Sequence, residues 1–179
     1  LDIGMEWPVK PELREKLSLP LNPHSPEGGF YTDMCATVPV GEISREAKRL
    51  LRVTRECLEA GIKQVRPGAR LNNVGGAVQS LAETAGYGVV RDLVGHGVGY
   101  QVHEDPEIYH YRIGERSAAN IELKEGMVIC IEPMINAGTY KIEVAENGFT
   151  IVTADKSLSA HFEHTLAVTK DAYEILTLE

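Results

Sequence analysis

Four carboxylates lie within short apolar segments of this chain, where strands are expected: Asp2, Asp33, Glu132 and Glu163. Burying a carboxylate without a partner is energetically costly. Any one of the four, taken alone, could equally be a strand-edge residue that is hydrogen-bonded to backbone or to an arginine. Four together repel one another unless cations hold them, so the set favours a metal site.

A glycine-rich turn supplies the best candidate imidazole ligand. His96 stands in Gly95-His96-Gly97-Val98-Gly99, and glycines allow the backbone to bend closely around a ligand. His103 follows seven residues later. We interpret the remaining histidines, which lack glycine neighbours, as surface residues or as supports of the site: His24, His110, His161 and His164.

The elements that must position these residues begin with two strands and two helices. Residues 1–7 and 30–40 are expected to be strands, joined over residues 8–29 by a long loop that contains five prolines. Ser44 is a good N-cap for an amphipathic helix that ends before Pro67. A second helix is expected to start near Asn72 or Asn73 and to stop at Gly86.

The rest of the chain is predicted to be mainly strands, at residues 88–94, 127–133, 149–153, 161–168 and 173–178. Two strands, two helices and then further strands are typical of an α+β domain, with helices on one face of a mainly antiparallel sheet. We expect one such domain over residues 1–179.

Composition narrows the classes of function. Hydrophobic residues make up 43 % and charged residues 25 % of the 179 residues, an ordinary globular balance. The formal net charge of −8 argues against a nucleic-acid partner, and no apolar stretch approaches the ~18 residues of a membrane span. The three cysteines, at 35, 57 and 130, are odd in number and widely spaced, which predicts buried, reduced thiols in a cytoplasmic protein.

Several motifs, taken together, resemble those of type I methionine aminopeptidases. In order, they are Gly95-His96-Gly97-Val98-Gly99, His103-Glu104-Asp105-Pro106, Gly126-Met127, Ile131-Glu132-Pro133-Met134 and Ser159-Ala160-His161-Phe162-Glu163-His164-Thr165. The resemblance runs without gaps from about Phe30 to the C-terminus. It implies the pita-bread (creatinase/aminopeptidase-like) fold, a curved, mainly antiparallel sheet with helices on its outer face. The chain, which starts at Leu1, would be a partial metallopeptidase domain that lacks the family's N-terminal half.

The same resemblance implies a ligand set and a reaction. The five metal ligands would be Asp2, Asp33, His96, Glu132 and Glu163, holding two divalent ions of Mn, Fe, Co or Zn. In the family, a water shared by two such ions becomes hydroxide-like near neutral pH and attacks the first peptide carbonyl.

The resemblance also assigns substrate contacts. His103 would contact the substrate and position its scissile amide, and Glu132 would shuttle the proton. Val102 and Phe149 would flank the pocket for the substrate side chain. Family members often carry larger aromatics at these two positions, so this pocket is expected to be roomier than usual.

The first ligand has two candidates. The family usually separates its two aspartates by eleven residues, which would place Asn22 opposite Asp33. We assign Asp2 instead, because Leu-Asp-Ile-Gly resembles the family's ligand strand, whereas Pro20-Leu21-Asn22-Pro23 is a poor paired strand. A longer hairpin loop is tolerated at little cost.

The expected function is removal of the initiator methionine from nascent polypeptide N-termini in the cytoplasm. Full length, the protein is expected to be a monomer without nucleic-acid or membrane partners. Two alternatives stay open: a proline-specific aminopeptidase or dipeptidase of the same fold, and a non-catalytic pita-bread binding module. The short interval between Glu132 and Glu163 favours the type I methionine aminopeptidases.

Overall fold

A computed structural model describes residues 30–177. The predicted strand at 1–7 and the loop at 8–29 lie outside the described residues. So do Asp2, Asn22 and His24, whose predicted roles therefore stay predictions.

Two helices form as their sequence signals indicate. Helix α1 spans Arg45–Ile62, and the Ser44 hydroxyl accepts the backbone N–H of Ala47 at 3.1 Å, which confirms the predicted N-cap. Helix α2 spans Leu71–Thr84, so the predicted start at Asn72 or Asn73 was one or two residues late. The reason is that Asn73 acts inside the first turn, where its Oδ1 accepts the N–H of Arg70 at 2.8 Å.

Ten strands follow in the described part of the chain: β1 (Gly88–Val89), β2 (Gly95–Gly97), β3 (Glu104–Ile108), β4 (Val128–Ile131), β5 (Met134–Asn136), β6 (Ile142–Val144), β7 (Ile151–Thr153), β8 (Ser159–His161), β9 (His164–Val168) and β10 (Tyr173–Ile175). They form a five-stranded sheet in the order β10-β9-β4-β2-β3, a three-stranded sheet β1-β5-β8 and the hairpin β6-β7. All the pairings are antiparallel. The α+β prediction is confirmed.

The core lies between the helices and the sheets. Helix α1 packs against α2 and against strands β4, β5 and β8. The larger cluster joins helix side chains to the five-stranded sheet: Leu58, Ile62, Leu71 and Val74 meet Ile129, Ile131 and Leu166. Full burial of each such side chain contributes about 1.5–3 kcal/mol. This packing leaves the helices on one face of the sheet and fixes the strands that carry the candidate ligands.

Two predicted strands differ from the structure. Residues 30–40 form only an isolated bridge, Ala36 with Phe162, because threonine hydroxyls replace several of the backbone bonds along this segment. The strand predicted at 161–168 is split into β8 and β9. It breaks at Phe162 and Glu163 because the chain leaves the three-stranded sheet there and enters the five-stranded one.

Smaller differences concern short strands and the thiols. The strand predicted at 88–94 is limited to β1, and β2, β3, β5 and β6 were not predicted. The glycine-rich turn expected around His96 is instead strand β2, because it pairs with β3 and β4. All three cysteines are buried, as expected. Among the described residues, no helix combines the length and apolar character that a membrane crossing requires.

Candidate metal centre

Three of the five predicted ligands come from adjacent strands of one sheet, and a fourth comes from a segment that runs beside it. His96 lies in β2, Glu132 directly follows β4, and Glu163 directly precedes β9. Strands β2, β4 and β9 are adjacent in the sheet, so their ends bring these side chains together. Asp33 lies on the segment that runs antiparallel to β9, where the N–H of Glu163 donates to the carbonyl of Cys35 at 2.8 Å.

The side chains converge in a largely buried space. His96 Nε2 is 3.3 Å from Glu132 Oε1 and 4.0 Å from Glu163 Oε1. The exposed fractions of His96, Glu132 and Glu163 are 8 %, 9 % and 4 %. Ligand atoms lie within 4.8 Å of one another in three groups: Asp33 with His96 and His103, His96 with Cys130 and Glu163, and Glu132 with His161 and Glu163. His96 links the first group to the second, and Glu163 links the second to the third.

Glycine on each side of His96 has a structural cause. A Cβ on Gly95 would clash with the carbonyl oxygen of Cys130, and a Cβ on Gly97 would clash with that of Asp105. Strand β2 therefore sits between β3 and β4 at a distance that only glycine allows. The ring of His96 is oriented as well, since its Nδ1 lies 3.0 Å from the Gly97 carbonyl, which can only accept a hydrogen bond.

In the neutral ring of His96 this contact places the hydrogen on Nδ1, so the Nε2 lone pair faces the carboxylates of Glu132 and Glu163. Within the described residues, Glu163 Oε1 has no hydrogen-bond partner, although it is buried. Burial, and then the charges of Glu132 and Asp33, raise the pKa of Glu163 to about 8. A lone pair and several carboxylates in one desolvated space repel one another, and a divalent cation removes that repulsion. The residues present therefore fit a metal ion.

His110 is a functional contact that the sequence did not single out. It is 1 % exposed, so of the two interpretations offered for it, surface residue or support of the site, the structure favours the second. Its Nε2 accepts the backbone N–H of Glu132 at 3.0 Å. Burial, and then His161 and His96, lower the pKa of His110 to about 3, so the ring is neutral and can accept this bond. The available signal was its place two residues after the apolar Ile108, on the same side of an extended chain.

His161 is the second such contact. It ends β8, and its Nε2 lies 3.3 Å from Glu132 Oε2. Its distance of two residues from Glu163 was the signal, because residues two apart on an extended chain point to the same side.

The predicted substrate contacts are more open. His103 is exposed, and its ring centroid lies 4.3 Å from that of His96. Val102 is half-buried. Phe149 lies in the turn between β6 and β7 with 79 % of its surface exposed, so the described residues do not enclose a pocket around it.

A cavity of about 290 Å³ has a different lining. Its walls include Phe30, Tyr31, Val98 and Met127, and none of the predicted site residues is among the described residues that line it.

Comparison with known proteins gives consistent matches. The model of metallopeptidase family M24 matches residues 25–170. The chain is 48 % identical over 151 residues to the methionine aminopeptidase of Rickettsia prowazekii, covering 84 % of this chain and 57 % of that protein. The crystal structure of methionine aminopeptidase from Thermotoga maritima superposes with a TM-score of 0.79 at 45 % identity, over 84 % of this chain and 59 % of the other.

A more distant likeness is to a prolidase from Pyrococcus horikoshii, with a TM-score of 0.64 at 25 % identity over 83 % of this chain and 36 % of that one. These structures confirm the predicted fold class. The chain spans 54–59 % of the length of the curated methionine aminopeptidases that it matches.

Proposed function

Because this chain belongs to metallopeptidase family M24, we propose that it is the metal-binding part of a type I methionine aminopeptidase, which removes the initiator methionine from new polypeptides. The convergence of His96, Glu132 and Glu163 in a buried space carries the proposal. The identity to methionine aminopeptidases, 48 % against 25 % to a prolidase, favours this branch of the family.

The ion-binding residues would be Asp33, His96, Glu132 and Glu163, with Asp2 as the fifth ligand. Carboxylate oxygens and one imidazole make a site suited to Mn²⁺, Fe²⁺, Co²⁺ or Zn²⁺ and unlike a thiolate zinc site. We propose two ions, as the ligand count of the family implies. When bound, such ions supply Lewis acidity, which lowers the pKa of water and polarises a carbonyl.

The chain's own groups would bind the substrate and move the proton. His103 stands exposed beside His96, where a peptide can reach it and where its imidazole can hold the scissile amide. Glu132 would take the proton that is released when water attacks the carbonyl, and would return it to the departing amine. Val102 and Phe149 would flank the methionine side chain.

The proposal extends to the cellular setting. The substrates would be the N-termini of nascent polypeptides in the cytoplasm, and the full-length protein would act as a monomer. The net charge of −8 is unfavourable for binding nucleic acid. A non-catalytic binding module is less favoured, because such relatives lose ligands and all four described positions here keep a ligating side chain.

The test compares this chain with its full-length parent. Metal content is measured first, and then hydrolysis of Met-Ala and Xaa-Pro peptides at matched metal occupancy. We expect bound metal in both proteins, faster cleavage of Met-Ala, and far slower turnover by the isolated chain because substrate positioning is lost. In the same assays, Glu163→Gln should lower the metal content, because it removes a proposed ligand, and Glu125→Gln, which alters an exposed carboxylate, is its matched control. Preference for Xaa-Pro would refute the branch assignment, and a metal-free parent would refute the metal site.

A further inference from the structure

The carboxylate of Glu132 lies between two imidazoles, one at each oxygen. His96 Nε2 is 3.3 Å from Oε1, and His161 Nε2 is 3.3 Å from Oε2. The Glu132 side chain is 12 % exposed and the His161 side chain 20 %, so water competes weakly for this contact. The two oxygens therefore have different neighbours: the imidazole beside Oε1 is also 4.0 Å from Glu163 Oε1, and the imidazole beside Oε2 forms a group with Glu132 and Glu163 in which the ligand atoms lie within 4.8 Å of one another.

The two imidazoles differ in whether the Nε2 atom that faces Glu132 carries a hydrogen. His96 directs Nδ1 to the Gly97 carbonyl, so in the neutral ring Nε2 carries the lone pair, which suits a cation. A carboxylate oxygen only accepts hydrogen bonds, so His161 stabilises Glu132 when its Nε2 carries the hydrogen. His96 is thus arranged as a ligand, and His161 lies at ion-pair distance from the second oxygen of a ligand.

The backbone of His161 is held on both sides. The Thr37 hydroxyl accepts the His161 N–H at 2.9 Å and donates to the His161 carbonyl at 2.9 Å, and the Thr37 N–H donates to the same carbonyl at 3.0 Å. On the other side, His161 pairs with Met134 of β5. The ring therefore projects from a fixed position, as a residue that orients a metal ligand must.

From this arrangement we propose that His161 is a positioning residue of the metal centre, which holds Oε2 of Glu132 so that Oε1 is presented to the cation. The inference rests on the proposed metal-binding function and deepens it. His161 then sets the affinity for metal through Glu132, without entering the coordination shell.

The test uses two substitutions that separate the donor from the ring. His161→Gln keeps an N–H donor of similar reach, whereas His161→Phe keeps a ring of similar volume without any donor. Mn²⁺ alone is titrated into the purified chain and into its full-length parent by calorimetry. We expect affinity within about threefold of the original for His161→Gln and a loss of about 10–100-fold for His161→Phe. Thermal unfolding of the metal-free proteins, with Glu125→Gln as control, shows that both variants are folded.

Copper-loaded protein gives an independent readout, because pulsed electron paramagnetic resonance counts the imidazoles bound to Cu²⁺. A count of bound imidazoles that is the same in the original protein and in His161→Phe supports the positioning role. If two imidazoles are bound to Cu²⁺ in the original protein and only one in His161→Phe, then His161 is a ligand and the positioning role is refuted. Unchanged Mn²⁺ affinity in His161→Phe, or equal losses in both variants, would also overturn it. Absence of Mn²⁺ binding by the unmodified proteins would refute the metal-binding function itself, a result distinct from these.

Discussion

The hydroxyl of Thr165 forms two hydrogen bonds with the backbone of Asp33: it accepts the Asp33 N–H at 2.8 Å and donates to the Asp33 carbonyl at 2.7 Å. Thr165 is fully buried in β9, where it pairs with Cys130 of β4. A side chain thus replaces the pair of backbone bonds that a regular strand would make. It ties the position of Asp33 to the strand that begins directly after Glu163, although the two partners are 132 residues apart in sequence.

Removing that hydroxyl should destabilise the fold and weaken the site. Thr165→Val keeps the shape of the side chain but leaves the N–H and carbonyl of Asp33 without this partner, which should lower the free energy of unfolding by about 1–3 kcal/mol. Thr165→Ser keeps the hydroxyl, so its free energy of unfolding should fall by less than that of Thr165→Val. Urea denaturation of the metal-free proteins measures the difference. A Thr165→Val protein as stable as the original would show that water replaces the threonine at no cost.

The sequence predicted His96, Glu132 and Glu163 because their signals are local. Glycines flank His96, Glu132 interrupts the apolar run that starts at Val128, and Glu163 lies in the motif Phe162-Glu163-His164-Thr165. The N-cap at Ser44 is local in the same way, since its partner is three residues away.

The sequence did not predict the contacts whose partners are distant along the chain. His110 accepts from Glu132 across 22 residues, and Thr37 holds His161 across 124. Nothing in the neighbourhood of these residues marks them, because their roles arise from strand register. The same cause explains the wrong strand prediction at 30–40. Apolar and polar residues alternate there, but threonine hydroxyls replace part of the backbone hydrogen bonding that a strand would make.

The stability of the metal-free protein should depend on the protonation of Glu163. Its pKa is raised from an ordinary value of 4.5 to about 8, so the folded state binds this proton more tightly than the unfolded chain does. The resulting stability is fully present below pH 4.5 and is lost as the pH rises through about 8. Urea unfolding in the presence of a chelator should show this decline between pH 5 and 8.5. Glu163→Gln should flatten it, and an equally steep decline in that variant would assign the effect to another group.

The choice between Asp2 and Asn22 as the first ligand predicts different metal contents. In the full-length parent, Asp2→Ala should lower the metal bound per protein molecule, because it removes an anionic chelating group. Asn22→Ala should leave the metal content unchanged, since we expect that residue to lie in a surface loop. Elemental analysis after dialysis against buffered Mn²⁺ measures both. Loss of metal in the Asn22 variant alone would reverse the assignment.

Gly97 should tolerate no side chain, because of its neighbour across the sheet. A Cβ there would clash with the Asp105 carbonyl oxygen, a backbone atom that cannot rotate away. Gly97→Ala should therefore push β2 from β3, cost about 1–3 kcal/mol of stability and move His96 away from Glu132. Gly114→Ala is the matched control, since a Cβ at that position meets no atom within 4 Å. Urea denaturation measures the stability, and Mn²⁺ titration measures the site. If both variants bound Mn²⁺ equally well, the close approach of β2 and β3 would not be what positions His96.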